Sequence, residues 1–478
     1  MPDALAGTEG LNLAQEFPPV STETWEAAIL KDLKGADYEK KLVWRSEEGL
    51  NVRPYYRSDA LAGLDAQTAS APGQSPFVRG EGKAWKIDQE AVPAKNAIRA
   101  DLILESGADA IQQLGIALAA GVEELEKRSA SSSVDVAARE IEFAFAVGST
   151  YFFEIAKLRA ARLLWAQVVS AFGGDAKAGL LKLHVRTAQL NKSIVDPNTN
   201  MLRATTEAMS AAIGGCDSLT VEPFGFDEHL ALGIQRVLAE EAHLNVVADP
   251  AGGSYYIESL TNSLAHEAWK LFQRIEAAGG YSKALAAGWL GEEVAKSRAV
   301  REKAISSRRK AMVGVNNFPD LNGEPLEAAP VAEAGVAPFP TFRLAEPFEA
   351  IRLRTARHAK AKGKAPKVLL LKRGDAKMKT ARANFTLNFF GCSGFTLVES
   401  EEYVGSDADL IVLCSSDAEY LAFAEEVCAK VKVPVVVAGN PKEQIDALTA
   451  LGVQGFVHVA SDALETLTNW QNRLGVKN

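Results

Sequence analysis

In the stretch YFFEIAKLRAARLLWAQVVSAF, apolar Phe152, Ile155, Leu158, Ala161, Leu164 and Val168 recur at helical spacing, which predicts one long helix. Around it, strand and helix patterns alternate from residue 97 to residue 250. AIRADLILES reads as a strand followed by a helix over 109–128, and REIEFAFAVG as a second strand or as the start of the next helix. LLKLHVRTA (180–188) and CDSLTVEPF read as further strands. MLRATTEAMSAAIG reads as a helix stopped by Gly214–Gly215, and FDEHLALGIQRVLAEEAHL as another. The rhythm amounts to about four β/α units, whereas a closed eight-stranded barrel takes roughly 250 residues. Residues 91–250 are therefore expected to form a partial (β/α) barrel or a small open sheet. Its strand edges need cover, from another chain or from the N-terminal arm.

The last part, 367–478, holds short apolar runs separated by helices: KVLLL (367–371), TLVES (396–400), LIVLCSS (410–416), VPVVVAG (433–439) and GFVHV (455–459). Strands this apolar are buried in parallel sheets, and their order predicts a five-stranded, doubly wound Rossmann-like domain. Between the two α/β regions lie a helical segment (251–323) broken at Gly279–Gly280, a loop at VNNFPDL, and a Pro- and Ala-rich linker (324–366). Residues 1–90 read as an arm and subunit-contact region. Thr22 caps a short helix, WEAAILKDLKG, ending near Gly35. LVWRSEEGLNVRPYY makes a hairpin turning at Glu48–Gly49, and 65–82 is irregular. Trp44, Tyr55 and Tyr56 offer area for packing on another surface. An arm this long with few apolar residues is expected to wrap around something.

A net charge of -9 argues against a general nucleic-acid binder. The longest basic stretch, HAKAKGKAPK, falls between domains and reads as solvated linker. Cys216, Cys392, Cys414 and Cys428 lack metal-ligand spacing, and free thiols fit a reducing cytoplasm. The N-terminus has no basic segment followed by an apolar one, and no run reaches the ~20 apolar residues that span a bilayer. The expected location is the cytoplasm, with no membrane and no nucleic acid as partner.

Several stretches together resemble one family. They are AAREIEFAFAVGSTYFFEIAKLRAARLLWAQVV, HVRT (184–187), ATTEAMSAAIGGCDSLTVEPFGFDE, VVADPAGGSYYIESLT, and MKTARANFTLNFFGCSGF followed by ADLIVLCSSDAEY. They are similar to the methylmalonyl-CoA mutases, and nearest to the small, non-catalytic subunit of the heterodimeric bacterial form. The resemblance covers roughly 97–318 and 366–460. It implies a barrel for an acyl-CoA and a corrinoid-binding domain, with homolysis of a Co–C bond starting a radical rearrangement in catalytic members.

The chain departs from that pattern in three places. The resemblance calls for a cobalt-ligating histidine two residues after Asp375, but Lys377 stands there, and a protonated lysine has no lone pair to give. No histidine occurs between His358 and His458. The loop with Asp375, Lys377 and Thr380 thus reads as degenerate, with Lys379 and Arg382 adding bulk. In ADLILESG, Leu102 replaces a substrate-contacting histidine and cannot polarise a thioester. Sequence resembling the first barrel strand (AWKIDQE, 84–90) is followed almost at once by sequence resembling the fifth, so the first few units are missing. A truncated barrel does not by itself exclude water from a radical. The resemblance therefore implies a chain that binds no cofactor itself and supports a larger catalytic partner carrying adenosylcobalamin.

Other residues carry more than one reading each. His184 is expected at the C-terminal end of a strand, either catalytic or hydrogen-bonded to backbone. Arg186 reads as a carboxylate or phosphate binder, or as one side of a salt bridge with Glu222 or Asp227. His229 and His243 lie a near-whole number of turns apart and read as a solvated face or a metal pair. In DPAGGSYYIE, Asp249, Gly252, Gly253 and Tyr255 read as a structural turn, a subunit contact or a phosphate cradle. Ser415, Ser416 and Asp417, with Glu419, sit where an open sheet forms its ligand crevice but lack a histidine base. No GxGxxG or GxxxxGK[ST] is present. Three readings stay open. They are a non-catalytic mutase subunit, an acyl-CoA or corrinoid binder with altered contacts, and a homodimer of half barrels closed about a two-fold axis.

Overall fold

The computed structural model describes residues 19–87, 97–329, 338–405 and 407–477. It divides into two units, Met1–Tyr56 and Arg57–Asn478. In the first, helix α1 (Thr22–Asp32) is capped by Ser21, one residue before the expected Thr22, because the Ser21 hydroxyl accepts from the Thr24 amide. A short α2 (Tyr38–Lys41) leads to the hairpin β1 (Trp44–Arg45) and β2 (Asn51–Val52), which pair antiparallel. The hairpin turns at Gly49, whose φ of 79° favours glycine. Trp25 stacks on Tyr55 with centroids 4.9 Å apart. Among the described residues of this unit only Ser46 and Val52 are buried, and Trp25, Leu30 and Trp44 stay 43%, 54% and 48% exposed.

The second unit opens with a short helix, α3 (Asp65–Ala69), inside the stretch expected to be irregular. Its first sheet contains β3 (Lys86–Ile87), β4 (Ile98–Arg99), β5 (Glu142–Val147), β6 (Lys182–Thr187) and β7 (Ser218–Thr220). All pairings are parallel, in the order β3-β7-β6-β5-β4. That is the cyclic neighbour order of a barrel, last strand beside first. Among the described residues the one pair not formed is β3 with β4. The helices are α4 (Ala100–Glu105), α5 (Ala110–Ser129), α6 (Val134–Glu140), α7 (Tyr151–Ala171), α8 (Asn198–Ile213), α9 (Glu228–Arg236), α10 (Tyr255–Ala277), α11 (Tyr281–Ala286) and α12 (Trp289–Ser306). AIRADLILES is therefore mostly helix rather than strand. Every residue of α4 is buried, its acids Asp101 and Glu105 included, and a short run buried on all sides carries no period to separate the two. The expected α7 is present, but Phe152, assigned to its buried face, is half exposed while Phe153 is buried.

The Pro- and Ala-rich stretch is not a plain linker. Phe339, Phe342 and Leu344 are buried, and α13 (Glu346–Lys362) follows with Pro347 in its first turn. The second sheet has β8 (Lys367–Lys372), β9 (Thr396–Ser400), β10 (Leu410–Cys414), β11 (Val435–Ala438) and β12 (Val453–Val457), as the sequence predicts. It is all parallel, in the order β12-β11-β10-β8-β9, with α14 (Ala376–Gly391), α15 (Tyr420–Cys428), α16 (Ile445–Ala450) and α17 (Ala463–Arg473). One apolar cluster joins the two sheets. It contains Ala146, Leu190, Ile194 and Phe224 from the first, Phe342, Leu344 and Phe348 from the connection, and Val368, Leu370, Phe389 and Val412 from the second. No described helix is long and apolar enough to cross a membrane.

Gly121 of α5 faces Phe143 of β5, which is held edge-on by Trp165 of α7 at 5.0 Å. A Cβ at Gly121 would lie 2.5 Å from Phe143 Cζ and 3.1 Å from Trp165. Alanine gains about 1 kcal/mol in helix propensity but overpacks a pinned ring at about 1–3 kcal/mol. Gly121→Ala is expected to lose about 1 kcal/mol net, read from the urea midpoint at unchanged m. A gain in stability would mean that the ring can move.

Candidate functional site

Register lays Lys86, Ser218, His184, Ala144 and Arg99 in one row across the first sheet. Thr220, Arg186 and Ala146 form the next row. This is the face opposite Phe143, which packs on the helices. His184 is the third residue of β6 rather than its C-terminal end, and it is 2% exposed. Its Nδ1 shares a 2.8 Å hydrogen bond with the Ser218 hydroxyl, not with backbone, and its Nε2 has no partner among the described residues. Burial pushes its pKa down, against the pull of Glu142 and Asp101, so the ring is neutral at pH 7.

Arg186 reaches the C-terminal end of the strands, where barrels place their chemistry. It does not wait for a ligand. Its Nε donates to Asp101 at 2.7 Å, and a further nitrogen lies 3.2 Å from Glu105 and 3.8 Å from Glu222. Asp101 also takes a two-pronged bond from Arg99, at 2.9 and 2.8 Å. The Glu222 partner was legible in the sequence. Asp101 and Glu105 were missed because their segment reads as a strand. Lys192 is fully buried against Glu207 at 2.6 Å and donates to the Ala188 carbonyl. Lys157 pairs with Glu154 and donates to the Ala146 carbonyl at 2.8 Å.

The connection then seals this end. Phe342 N–H donates to the Glu105 carbonyl (3.1 Å), Leu344 N–H to the Leu190 carbonyl (2.8 Å), and Ile194 N–H to Glu349 (2.9 Å). Arg343 is held by Glu349 at 2.6 and 2.7 Å. Leu102 lies buried in α4 rather than on a strand.

The DPAGG turn is tied into the core. Asp249 and Glu258 both hold the fully buried Arg159, at 3.0 and 2.8 Å. Gly253 N–H donates to Glu258, as does Gln67, and a Cβ at Gly252 would lie 2.7 Å from the Asp249 carboxylate. Tyr255 begins α10 and is 42% exposed. His243 follows the π turn Val237–Glu241 with φ 53°, off the helix that carries His229. No metal-ligand cluster occurs among the described residues.

At the C-terminal edge of the second sheet, Asp375 caps α14 by accepting from the Met378 amide at 2.8 Å. Thr380 donates to its own helix at the Ala376 carbonyl, and Lys377 is exposed. Ser415 and Ser416 lie 2.8 and 2.6 Å from Glu419, and Asp417 takes Arg382 at 3.1 Å. The residues present do not fit a corrinoid. The turn offers no imidazole, the crevice donors are bound to Glu419, and the Lys379–Glu401 and Arg382–Asp417 pairs span the neighbouring loops.

Residues 85–346 match the sequence profile of a family described as "Methylmalonyl-CoA mutase". The chain is 32% identical to a methylmalonyl-CoA mutase small subunit of Porphyromonas gingivalis, over 97% of this chain and 99% of that relative. It is 37% identical to a small subunit of Streptomyces virginiae, over 81% of this chain and 66% of the relative. It is 38% identical to a methylmalonyl-CoA mutase of Cereibacter sphaeroides, over 50% of this chain and 35% of the relative. The first alignment is 617 positions long, which 478 residues cannot fill, so at least 139 positions have no counterpart here. Since both chains are covered almost end to end, these positions are internal.

Burial alone would raise the Asp101 carboxyl, but Arg99 and Arg186 outweigh it and hold the group below its usual range. A depressed carboxyl stabilises the fold fully above its unfolded value, about 3.9, and the contribution is lost as pH falls through the folded value. Asp101→Asn is expected to lose about 3 kcal/mol at pH 7, because Arg186 keeps a buried charge with one partner fewer. The gap to the parent should narrow below about pH 4. Urea unfolding at both pH values reads it, and a gap that ignores pH would contradict the charge assignment.

Proposed function

The chain belongs to the methylmalonyl-CoA mutase family, and we propose that it is a non-catalytic subunit that pairs with a larger mutase chain carrying adenosylcobalamin. The supporting observation is the C-terminal end of the first sheet. There Arg186, Lys192 and Lys157 are held by the chain's own carboxylates, and the connection is bonded across the strand-end loops. An acyl-CoA needs cations for its phosphates and a donor for its thioester carbonyl. This end spends them internally. The relatives named small subunits support the same reading.

The reading extends to the domains. Residues 91–250 are a barrel shortened at the β3–β4 seam, and 367–478 is a degenerate corrinoid domain. The first unit, Met1–Tyr56, contacts the partner, because among its described residues only Ser46 and Val52 are buried and large apolar side chains stay at its surface. The compartment is the cytoplasm, which keeps thiols such as Cys216, Cys392 and Cys414 reduced.

Mixing the chain with the larger mutase chain of its own source is expected to give a heterodimer by size and mass, and mutase activity that the small chain alone lacks. Leu30→Ala with Trp44→Ala is expected to weaken pairing about tenfold or more without lowering the unfolding midpoint of the rest. A chain that stays monodisperse and ignores its partner would remove the reading, and a stable homodimer would favour the two-fold half-barrel pairing instead.

A further inference from the structure

The strand order of the second sheet reverses between β8 and β10, and in open α/β sheets the ligand crevice lies beyond the strand ends at that reversal. Three donors from the loop after β10 converge there on one side chain of the protein. The Ser416 hydroxyl lies 2.6 Å and the Ser415 hydroxyl 2.8 Å from Glu419 Oε2, and the Ser416 amide lies 3.4 Å from it. Ser415 divides its single proton between Glu419 and the Arg373 carbonyl. The carboxylate is seated on the β8 loop at Gly374, where a Cβ would collide with both of its oxygens.

Ser416 and Glu419 form a capping box, but the box does not account for the Ser415 bond or for the seat at Gly374. In a capping box the glutamate serves the amide of its own N-cap residue, and here that contact, Ser416 N–H at 3.4 Å, is the longest of the distances given above. The short bonds go to hydroxyls, and the carboxylate rests against Gly374 of the opposite loop.

We propose that the Glu419 carboxylate is a built-in occupant of this crevice, standing where a ligand's phosphate would sit, and that it closes the domain to cobalamin independently of the missing histidine. Hydrogen bonds from Ser416 and Ser415 hold its pKa below the ordinary glutamate range, so the plug stays charged and repels an entering anion. A carboxylate and a phosphate share the chemistry that these donors recognise, an oxyanion accepting several N–H and O–H bonds.

The test uses the full chain, inorganic phosphate and hydroxocobalamin. Phosphate also stabilises folded proteins by exclusion from their surfaces. The quantity read is therefore the excess rise in thermal midpoint of a variant over the parent, against chloride at equal ionic strength. Glu419→Ala empties the crevice and is expected to gain an excess of about 3 °C or more at saturating phosphate. Glu419→Gln keeps the side chain's length, removes the repelling charge and is expected to gain a smaller excess. It stands in should the alanine variant not fold. Lys377→His with Glu419 in place is expected to leave the hydroxocobalamin spectrum unchanged. No excess in either Glu419 variant, or cobalt coordination by Lys377→His alone, overturns the proposal. The cobalamin arm rests on the reading of the chain as a non-catalytic subunit, whereas the phosphate arm does not. Cobalamin bound by the unaltered chain would sink that reading instead.

Discussion

The buried contact between Arg186 and the pair Asp101 and Glu105 constrains most of what surrounds it. A guanidinium removed from water must be paired, because the cost of leaving it unpaired exceeds that of most single packing defects. Its two acids sit on α4, so α4 must lie against the end of the first sheet. Glu105 in turn accepts from Gln189 N–H, and its carbonyl receives Phe342 N–H from the connection. One charge in a low-dielectric place thus fixes a helix, a strand-end loop and the path of the chain toward the second domain. The same pairing removes the positive charge that a phosphate-bearing substrate would need.

The seam between β3 and β4 has a simple physical basis. A barrel strand is held by its two neighbours and by the helices on its outer face. When units are absent from the interior of the sequence, the remaining strands keep those neighbours, and the first still pairs with the last. The internal shortfall against the Porphyromonas gingivalis relative has the same sense. The helical face tolerates it because its packing is local, with Phe143 on Trp165 and Gly121 giving way to the Phe143 ring. The polar face has no such independence, since its rows of Lys86, Arg99, His184 and Arg186 need partners wherever the sheet ends.

The sequence exposed what period and composition control. The five strands of the second sheet stand where their apolar runs place them, and α5, α7, α8 and α10 follow their helical spacing. AIRADLILES was unreadable because a segment buried on all sides loses the period that separates helix from strand. The stretch 324–366 reads as linker because it is rich in Pro and Ala. Its few apolar residues, Phe339, Phe342, Leu344 and Phe348, each enter a core that only the tertiary fold creates. At the candidate site, Glu222 was one of two acids the sequence offered to Arg186, with Asp227, while Asp101 and Glu105 depended on the misread helix. Asp249 was singled out for its glycines, but its role is set by Arg159, ninety positions away in sequence and invisible to any local pattern.

The stability of the second domain resides in its sheet rather than in the loops at its C-terminal edge. The two faces of its sheet are filled by Val368, Leu370 and Val412 on one side and Leu369, Ile411, Leu413 and Val437 on the other. None of these residues lies in the crevice loops, so the loops can change without unfolding the sheet. They cannot change in every direction, however. Donors that converge on a ligand do not lose their demand for an acceptor when the ligand is gone, and unsatisfied groups at a half-buried strand end cost stability. A side chain of the protein that reaches those donors offsets that cost, and Glu419, which follows Ser415 and Ser416 in the loop after β10, has the length and charge to do so. By this argument the imidazole and the emptiness of the crevice are separate properties, and a domain that has filled its crevice is further from cofactor binding than the absence of one histidine suggests.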